Sequence, residues 1–218
     1  MIQLSSRWWF GPQNEPLQYL SHVIMLAASL LYLFAGPFNL LTGAAHPVYS
    51  GLLLMMGGFY LVLWYLSRWK HCFHPASLFF YASFTFIAIP ANWFFNAGAA
   101  GPTWLFMALN LMNVSVILRD SPFMKRILQI SLLFMPLLLI GVELAYPESV
   151  YPYPDTATQL IDWFVCYVVV CGCLFLLLNQ YGQRFKAERD RAENLAEELR
   201  FMSNHDQLTG LYNRHALI

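Results

Sequence analysis

The chain has 218 residues, of which 58% are hydrophobic and only 11% are charged, and its formal net charge is zero. A soluble domain of this length cannot hide so much apolar surface, so the composition excludes an ordinary soluble enzyme and requires lipid around part of the chain. The neutral total gives no indication of a nucleic-acid partner, which is therefore not expected.

Six apolar segments, each close to the ~20 residues that cross a bilayer as a helix, follow one another along the chain. Short breaks rich in glycine and proline separate them, and no stretch alternates with period two as a barrel strand would. The sequence therefore predicts an all-α integral membrane protein with a bundle of six transmembrane helices. The predicted spans are about 17–41, 49–68, 76–96, 103–119, 124–145 and 158–181.

The positions of lysine and arginine indicate the orientation of the predicted bundle, because these residues favour the cytoplasmic side. With six crossings, all 12 Lys and Arg residues fall on one side of the membrane, and the opposite loops contain none. Five or seven crossings would break this sorting. Both termini are therefore expected in the cytoplasm.

The start of the chain lacks the basic region and the small-residue cleavage site of a secretory signal. We expect residues 1–16 to form a cytoplasmic, amphipathic N-terminus, with Trp8 and Trp9 at the level of the lipid headgroups. Residues 17–181 then form the six-helix membrane domain.

A charged segment with a heptad pattern, residues 182–203, follows the last apolar segment. Its apolar residues recur every seven positions in two series: Phe185, Ala192 and Leu199, and Tyr181, Leu195 and Met202, the second interrupted by Glu188. Such a stripe with charged flanks is typical of a coiled coil, which needs a second chain. We expect the last membrane helix to continue into this stalk and to form a homodimer; a single solvated helix is the alternative.

The end of the chain, residues 204–218, has the features of a helix stop, a tight turn at Thr209-Gly210 and a new helix capped by Asn213. Its sequence resembles the opening of GGDEF-family diguanylate-cyclase domains, which follows the pattern D-x-L-T-G-L-x-N-R. The residues that match fixed positions of this pattern are Asp206, Leu208, Thr209, Gly210, Leu211, Asn213 and Arg214. His215 stands where that family usually has a second arginine.

The resemblance implies that the intact protein is a diguanylate cyclase, in which two paired domains, each with GTP and Mg²⁺, make cyclic di-GMP. The catalytic, metal-binding and guanine-binding residues of that family would lie beyond Ile218, so the chain is expected to be a truncation that is inactive by itself and holds no cofactor. The six-helix part is similar to the membrane-associated sensor domains that precede such cyclases, which implies signal transduction at the bacterial inner membrane.

The stalk and the turn would transmit the signal from the membrane domain to the cyclase. The residues expected to couple the two parts are Leu195, Leu199, Met202, Asp206, Leu208, Thr209, Gly210, Asn213 and Arg214. In the GGDEF family the matching turn is a structural joint rather than a GTP contact.

Polar side chains inside the predicted spans are candidates for a binding site, because they are costly in lipid and usually face the bundle interior. Together with nearby aromatic residues and prolines that kink the helices, they predict a pocket open to the periplasm for a small hydrophobic or periplasmic signal molecule. The candidate residues are Asn92, Trp93, Asn96, Trp104, Asn110, Glu143 and Asp162. Alternatively, these side chains only hold the helices together through interhelical hydrogen bonds.

Two alternatives to a sensor are metal binding and transport, by a small-molecule transporter or a channel-like six-helix protein. No two histidines are placed as an axial pair, and Cys171 and Cys173 point to different faces of a helix, so no metal site is expected. A transporter with repeated halves would interrupt corresponding helices, but Gly36-Pro37 and Pro136 fall in segments that do not correspond. No charged residue lies in the middle of a span, which favours a sensor over an ion-coupled transporter.

Overall fold

A computed structural model describes residues 16–42, 46–118 and 121–204. Within these ranges the chain forms helices and no strand, which confirms the all-helical prediction. The long helices are α1 (Pro16–Thr42), α2 (Pro47–Trp69), α3 (Phe73–Phe95), α4 (Thr103–Ile117), α5 (Pro122–Ala145) and α6 (Thr156–Asn204). Most of the predicted N-terminal segment, and the turn from Asp206 to Arg214, lie outside the described residues.

The length and composition of the helices support a membrane protein. In the described part of the chain, five helices are long and apolar enough to cross a membrane, namely α1, α2, α3, α5 and α6. The apolar helix α4 has 15 residues, fewer than the roughly 17–25 that usually span a bilayer. The membrane character is therefore supported by five helices, and the sixth crossing stays a prediction.

The helices of the membrane domain alternate in direction, as contacts at their two ends demonstrate. At one end, here called the Ser21 end, Ser21 Oγ lies 3.3 Å from Ser77 Oγ, and His22 Nε2 lies 2.8 Å from Ser67 Oγ. The start of α1 therefore meets the end of α2 and the start of α3.

The opposite end, here called the Asn96 end, brings together the end of α3, the start of α4, the end of α5 and the start of α6. Asn96, just after α3, donates a hydrogen bond to Asp162 near the start of α6. The backbone N–H of Ala99 donates to Glu143 Oε2 near the end of α5, at 3.0 Å. Because α4 starts immediately after this turn, at Thr103, consecutive helices run in opposite directions through the bundle.

Helices α1 and α2 pack closely through small residues. Ser29 Oγ donates to the carbonyl oxygen of Gly57 at 2.8 Å. A Cβ added at Gly57 would lie 2.9 Å from Leu33 Cγ and 3.0 Å from Leu33 N, whereas one at Gly58 would meet nothing within 4 Å. Lipid is as apolar as the side chains of another helix, so the hydrophobic effect does not drive membrane helices together. Close van der Waals packing at small residues such as glycine is therefore a usual way to join them.

Helix α3 contains a π-helical turn, Phe84–Ala88, immediately before the segment that carries Pro90. Proline has no N–H for the helical ladder, and a local widening re-pairs the neighbouring groups. Here Ile89 N donates to Phe84 O, and the hydroxyl of Thr85 donates to Tyr81 O at 2.7 Å. The widened turn thus keeps α3 continuous and directs Thr85 into the buried interior, where it is fully inaccessible.

The chain divides into two compact units, residues 1–177 and 178–218. In the second unit, the described residues up to Asn204 are helical, and the side chains of Phe185, Leu195 and Leu199 are exposed. Arg189 and Glu193 form an ion pair one turn apart, with Nε 2.7 Å from Oε1. Because both of these side chains are exposed, the pair adds little stability to the helix.

We expect Gly57→Ala to lower the free energy of unfolding by about 1–3 kcal/mol, because its methyl group would press on the Leu33 backbone. Gly58→Ala is the matched control, since a Cβ there occupies open space. Denaturant titration of the chain in detergent micelles measures both variants. Equal stability of the two would contradict the close α1–α2 contact.

Candidate functional site

A tight turn after α3 shapes the Asn96 end. Ala97 and Gly98 both have positive φ angles, of 59° and 54°, and lead into a short 3₁₀ turn, Gly98–Ala100. A Cβ at Gly101 would overlap the carbonyl oxygen of Asn96. Glycine can adopt this backbone conformation at positions 98 and 101 because it has no Cβ. The turn therefore reverses the chain within a few residues before α4 begins.

The loop between α5 and α6 is fastened to this turn. Tyr151 N donates to Phe94 O at 2.7 Å, and Ala97 N donates to Tyr151 O at 3.0 Å. Trp163 Nε1, on the first turns of α6, donates to Ala100 O at 2.9 Å. The start of α6 is therefore attached to the end of α3 through backbone and side-chain hydrogen bonds.

Asp155 caps the N-terminus of α6. Its carboxylate accepts hydrogen bonds from the backbone N–H and the hydroxyl of Thr158, at 2.8 and 2.9 Å. These bonds favour the ionised form and hold the pKa of Asp155 below its ordinary value. A carboxylate at a helix N-terminus also compensates the positive end of the helix dipole, so Asp155 defines where α6 begins.

A chain of polar side chains links three helices near the Asn96 end. Tyr49 on α2 donates from its hydroxyl to Asn92 Oδ1 on α3 at 2.5 Å. Asn92 in turn donates from Nδ2 to Thr103 Oγ1 at the start of α4, at 2.9 Å. The oxygen and the nitrogen of the Asn92 side-chain amide therefore each have a partner, which keeps this side chain in one orientation at the edge of the site.

Asp162 on α6 is the centre of a second polar group. Its Oδ2 accepts from Asn96 Nδ2 at 2.9 Å and from the Tyr153 hydroxyl at 2.6 Å. The Cys166 thiol lies 3.6 Å from the other oxygen, Oδ1. Partial burial, together with the nearby carboxylate, raises the pKa of Tyr153 well above its ordinary value, so its hydroxyl remains a donor at physiological pH.

A cavity of about 360 Å³ lies beside these groups, in the size range of small-ligand sites. Its wall consists of residues from α1, α2, α3, α4 and α6 and of Tyr153 from the loop before α6. The lining residues are Leu31, Tyr32, Phe34, Ala35, Phe38, Asn39, Tyr49, Leu53, Asn92, Asn96, Phe106, Tyr153, Thr158, Ile161, Asp162, Val165, Cys166 and Val169. We call this space the Asp162 cavity.

A second cavity of about 230 Å³ adjoins the Asp162 cavity deeper in the bundle. The two share the lining residues Leu31, Tyr32, Phe106 and Val169. Its polar lining is Asn110, which donates to Thr85 Oγ1 at 2.9 Å, and Asn113, whose Oδ1 is buried with no hydrogen-bond partner among the described residues. We call this space the Asn110 cavity; a ligand or water could satisfy the Asn113 oxygen there.

The structure brings together four of the seven residues that the sequence suggested. Asn92, Asn96 and Asp162 line the Asp162 cavity, and Asn110 lines the Asn110 cavity. These four side chains also form hydrogen bonds between helices, so they hold the bundle together as well as lining the cavities.

The other three candidates line neither cavity. Trp93 is fully buried and packs edge-on against Trp104, with ring centroids 5.2 Å apart. Trp104 also donates to Ala99 O at 3.0 Å, and Glu143 accepts from Ala99 N, so both residues support the turn after α3. Glu143 additionally lines a separate depression formed mainly by the two loops of the Asn96 end.

Sequence reasoning missed Tyr49, Tyr153 and Cys166, which complete the polar part of the Asp162 cavity. In the sequence, the two tyrosines cannot be distinguished from the aromatic residues that commonly lie at a membrane interface. In the described part of the chain, no three His, Cys, Asp or Glu side chains are grouped as a metal site requires.

Comparison with known proteins identifies no relative of this chain. No family model, curated protein or solved structure matches the chain. The candidate site is therefore defined by its own geometry: two adjoining cavities, three polar side chains around a carboxylate, and one wall supplied by α6.

We expect Tyr153→Phe to lower the free energy of unfolding by about 1–2 kcal/mol, because it removes a hydrogen bond to a carboxylate. Tyr151→Phe in the same loop is the control, since its hydroxyl has no hydrogen-bond partner in the part of the chain that the structure describes. Thermal unfolding in micelles measures both; a control that loses as much stability would argue against the Asp162 contact.

Proposed function

We propose that residues 1–218 are the sensory membrane part of a diguanylate cyclase, in which a small molecule bound between the helices controls an attached GGDEF domain. The observation that carries this proposal is the double role of α6. This helix lines both cavities and ends at Asn204, two residues before the segment from Asp206 to Arg214 that resembles the start of a GGDEF domain.

The contribution of α6 to the cavities makes its position sensitive to their contents. Val165, Cys166 and Val169 line the Asp162 cavity, and Val169 and Cys173 line the Asn110 cavity. Part of the space between this stretch of α6 and helices α1 and α4 is therefore not filled by side chains. A ligand that fills the space favours one position of α6 over another, and this differential affinity is what any ligand-driven switch requires.

A second copy of the chain is the proposed partner of α6. Its membrane portion presents many apolar side chains outward, including Phe164, Val168 and Phe175, which are 68%, 51% and 65% exposed. The heptad residues Leu195 and Leu199 are exposed in the same way farther along the helix. A parallel dimer would bury the heptad stripe and bring two cyclase domains together, as the GGDEF reaction with two GTP molecules requires.

The proposed topology has six crossings of the bacterial inner membrane and both termini in the cytoplasm. The alternating helix directions and the absence of Lys and Arg from the loops of the Asn96 end support it. GTP is a cytoplasmic nucleotide, so an output domain that follows α6 must lie on that side. The Asp162 cavity would then be nearer the periplasmic end, where a signal molecule can enter.

We expect Val169→Phe to change cyclic di-GMP synthesis about fivefold or more when residues 1–218 are joined in frame to a GGDEF domain. The larger side chain occupies the space shared by both cavities and displaces α6. The same substitution on another helix provides the control: Val62 on α2 is 54% exposed and lines neither cavity, so Val62→Phe should leave synthesis unchanged. Equal rates in the two variants would contradict coupling through α6.

Cysteine crosslinking tests the proposed dimer. A cysteine at Leu195 should crosslink between chains in native membranes with several-fold higher yield than one at Asn194, because Leu195 belongs to the heptad stripe. The parent chain, with its own four cysteines, supplies the background yield. Similar yields at both positions would rule out this register.

A further inference from the structure

We infer that the Asp162 cavity binds a small organic cation, in which an apolar or aromatic body carries a protonated amine. The inference rests on the proposed function, since it names the chemical class of the ligand for the same cavity. Its three supports are the charge of the lining, the unused bonding capacity of Asp162, and the aromatic character of the remaining wall.

The lining of the Asp162 cavity carries a single formal charge. Asp162 is the one acidic residue among its lining residues, which include no lysine or arginine. The sequence has no lysine or arginine at all in residues 8–67, 71–118 and 127–183, where every lining residue lies. In the part of the chain that the structure describes, the cavity wall therefore offers no lysine or arginine to neutralise the carboxylate, and a cationic ligand would supply the missing charge.

Asp162 has room for another donor. Its two protein donors with short contacts, Asn96 and Tyr153, are neutral and both bond to Oδ2. Among the described residues, the one donor near Oδ1 is the Cys166 thiol, a weak donor, at 3.6 Å. A carboxylate offers about four acceptor positions, so an ammonium group at Oδ1 would add a charge-assisted hydrogen bond without displacing either neighbour.

The rest of the cavity wall suits the body of such a ligand. Six of its lining residues are aromatic, and these are Tyr32, Phe34, Phe38, Tyr49, Phe106 and Tyr153. Aromatic faces attract cations as well as apolar groups. An anion would be repelled by Asp162, and a neutral apolar molecule would leave the carboxylate without a countercharge.

An entry path exists on the outer surface of the bundle. Phe34 and Phe38 on α1 line the cavity and are 69% and 50% exposed, and Ile161 on α6 is 65% exposed. The cavity therefore opens between α1 and α6, near the Asn96 end. A molecule with a charged amine and an apolar body collects at the interface between water and lipid, where this opening would meet it.

Binding of two matched probes to the chain in lipid nanodiscs tests the inference. Protonated 2-phenylethylamine and neutral 2-phenylethanol have the same body and differ in the terminal group; empty nanodiscs give the partition background. We expect the amine to bind roughly tenfold or more tightly than the alcohol. Asp162→Asn should remove most of this difference by weakening the amine alone, and phenylacetate, the anionic analogue, should not compete.

Three results would overturn the inference. They are equal binding of amine and alcohol, no saturable binding of the amine, and unchanged amine affinity in Asp162→Asn. The comparison of the two probes on the unaltered chain stands even where the variant fails to fold. Because this assay measures binding without any output domain, its failure is distinct from failure of the proposed function, which would appear as an unchanged cyclase rate in Val169→Phe.

Discussion

The attachment of α6 to the helix bundle is the constraint on which the rest of the structure depends. Its first turns are fixed by hydrogen bonds from Trp163 to Ala100 and between Asp162 and Asn96, and its N-terminus is capped by Asp155. Beyond those turns, the helix borders cavities on its inner side. A helix that is held at one end and loosely packed along its inner face has a position that a bound molecule can change.

The other elements of the Asn96 end serve this attachment. The left-handed backbone at Ala97 and Gly98 turns the chain back so that carbonyl oxygens of the loop face α6. Glu143 and Trp104 bond to Ala99 and hold the same turn from α5 and α4. The tight contact of α1 with α2 gives the opposite wall of the Asp162 cavity a fixed backbone.

Much of the fold could be predicted from the sequence, because apolar runs of bilayer length specify helices directly. The alternation of the helices also followed, since short loops force neighbours to run in opposite directions. The cavities could not be predicted from the sequence. Tyr153 contacts Asp162 because of the conformation of the loop before α6, and a loop conformation leaves no periodic pattern in the sequence. The polar or aromatic character of Trp93 and Glu143 suggests pocket residues, but character alone does not indicate which cavity a side chain lines, and neither residue lines the two cavities described above.

The π-helical turn at Phe84–Ala88 has a consequence for how such a site can diverge between related sequences. One residue of an α-helix corresponds to a rotation of about 100°, so the inserted residue sets which side of Ile89–Phe95 faces inward. Loss of a single codon in this turn would rotate Asn92 away and present a neighbouring side chain instead. Ligand preference could thus change in one genetic step, without altering the helices that frame the site.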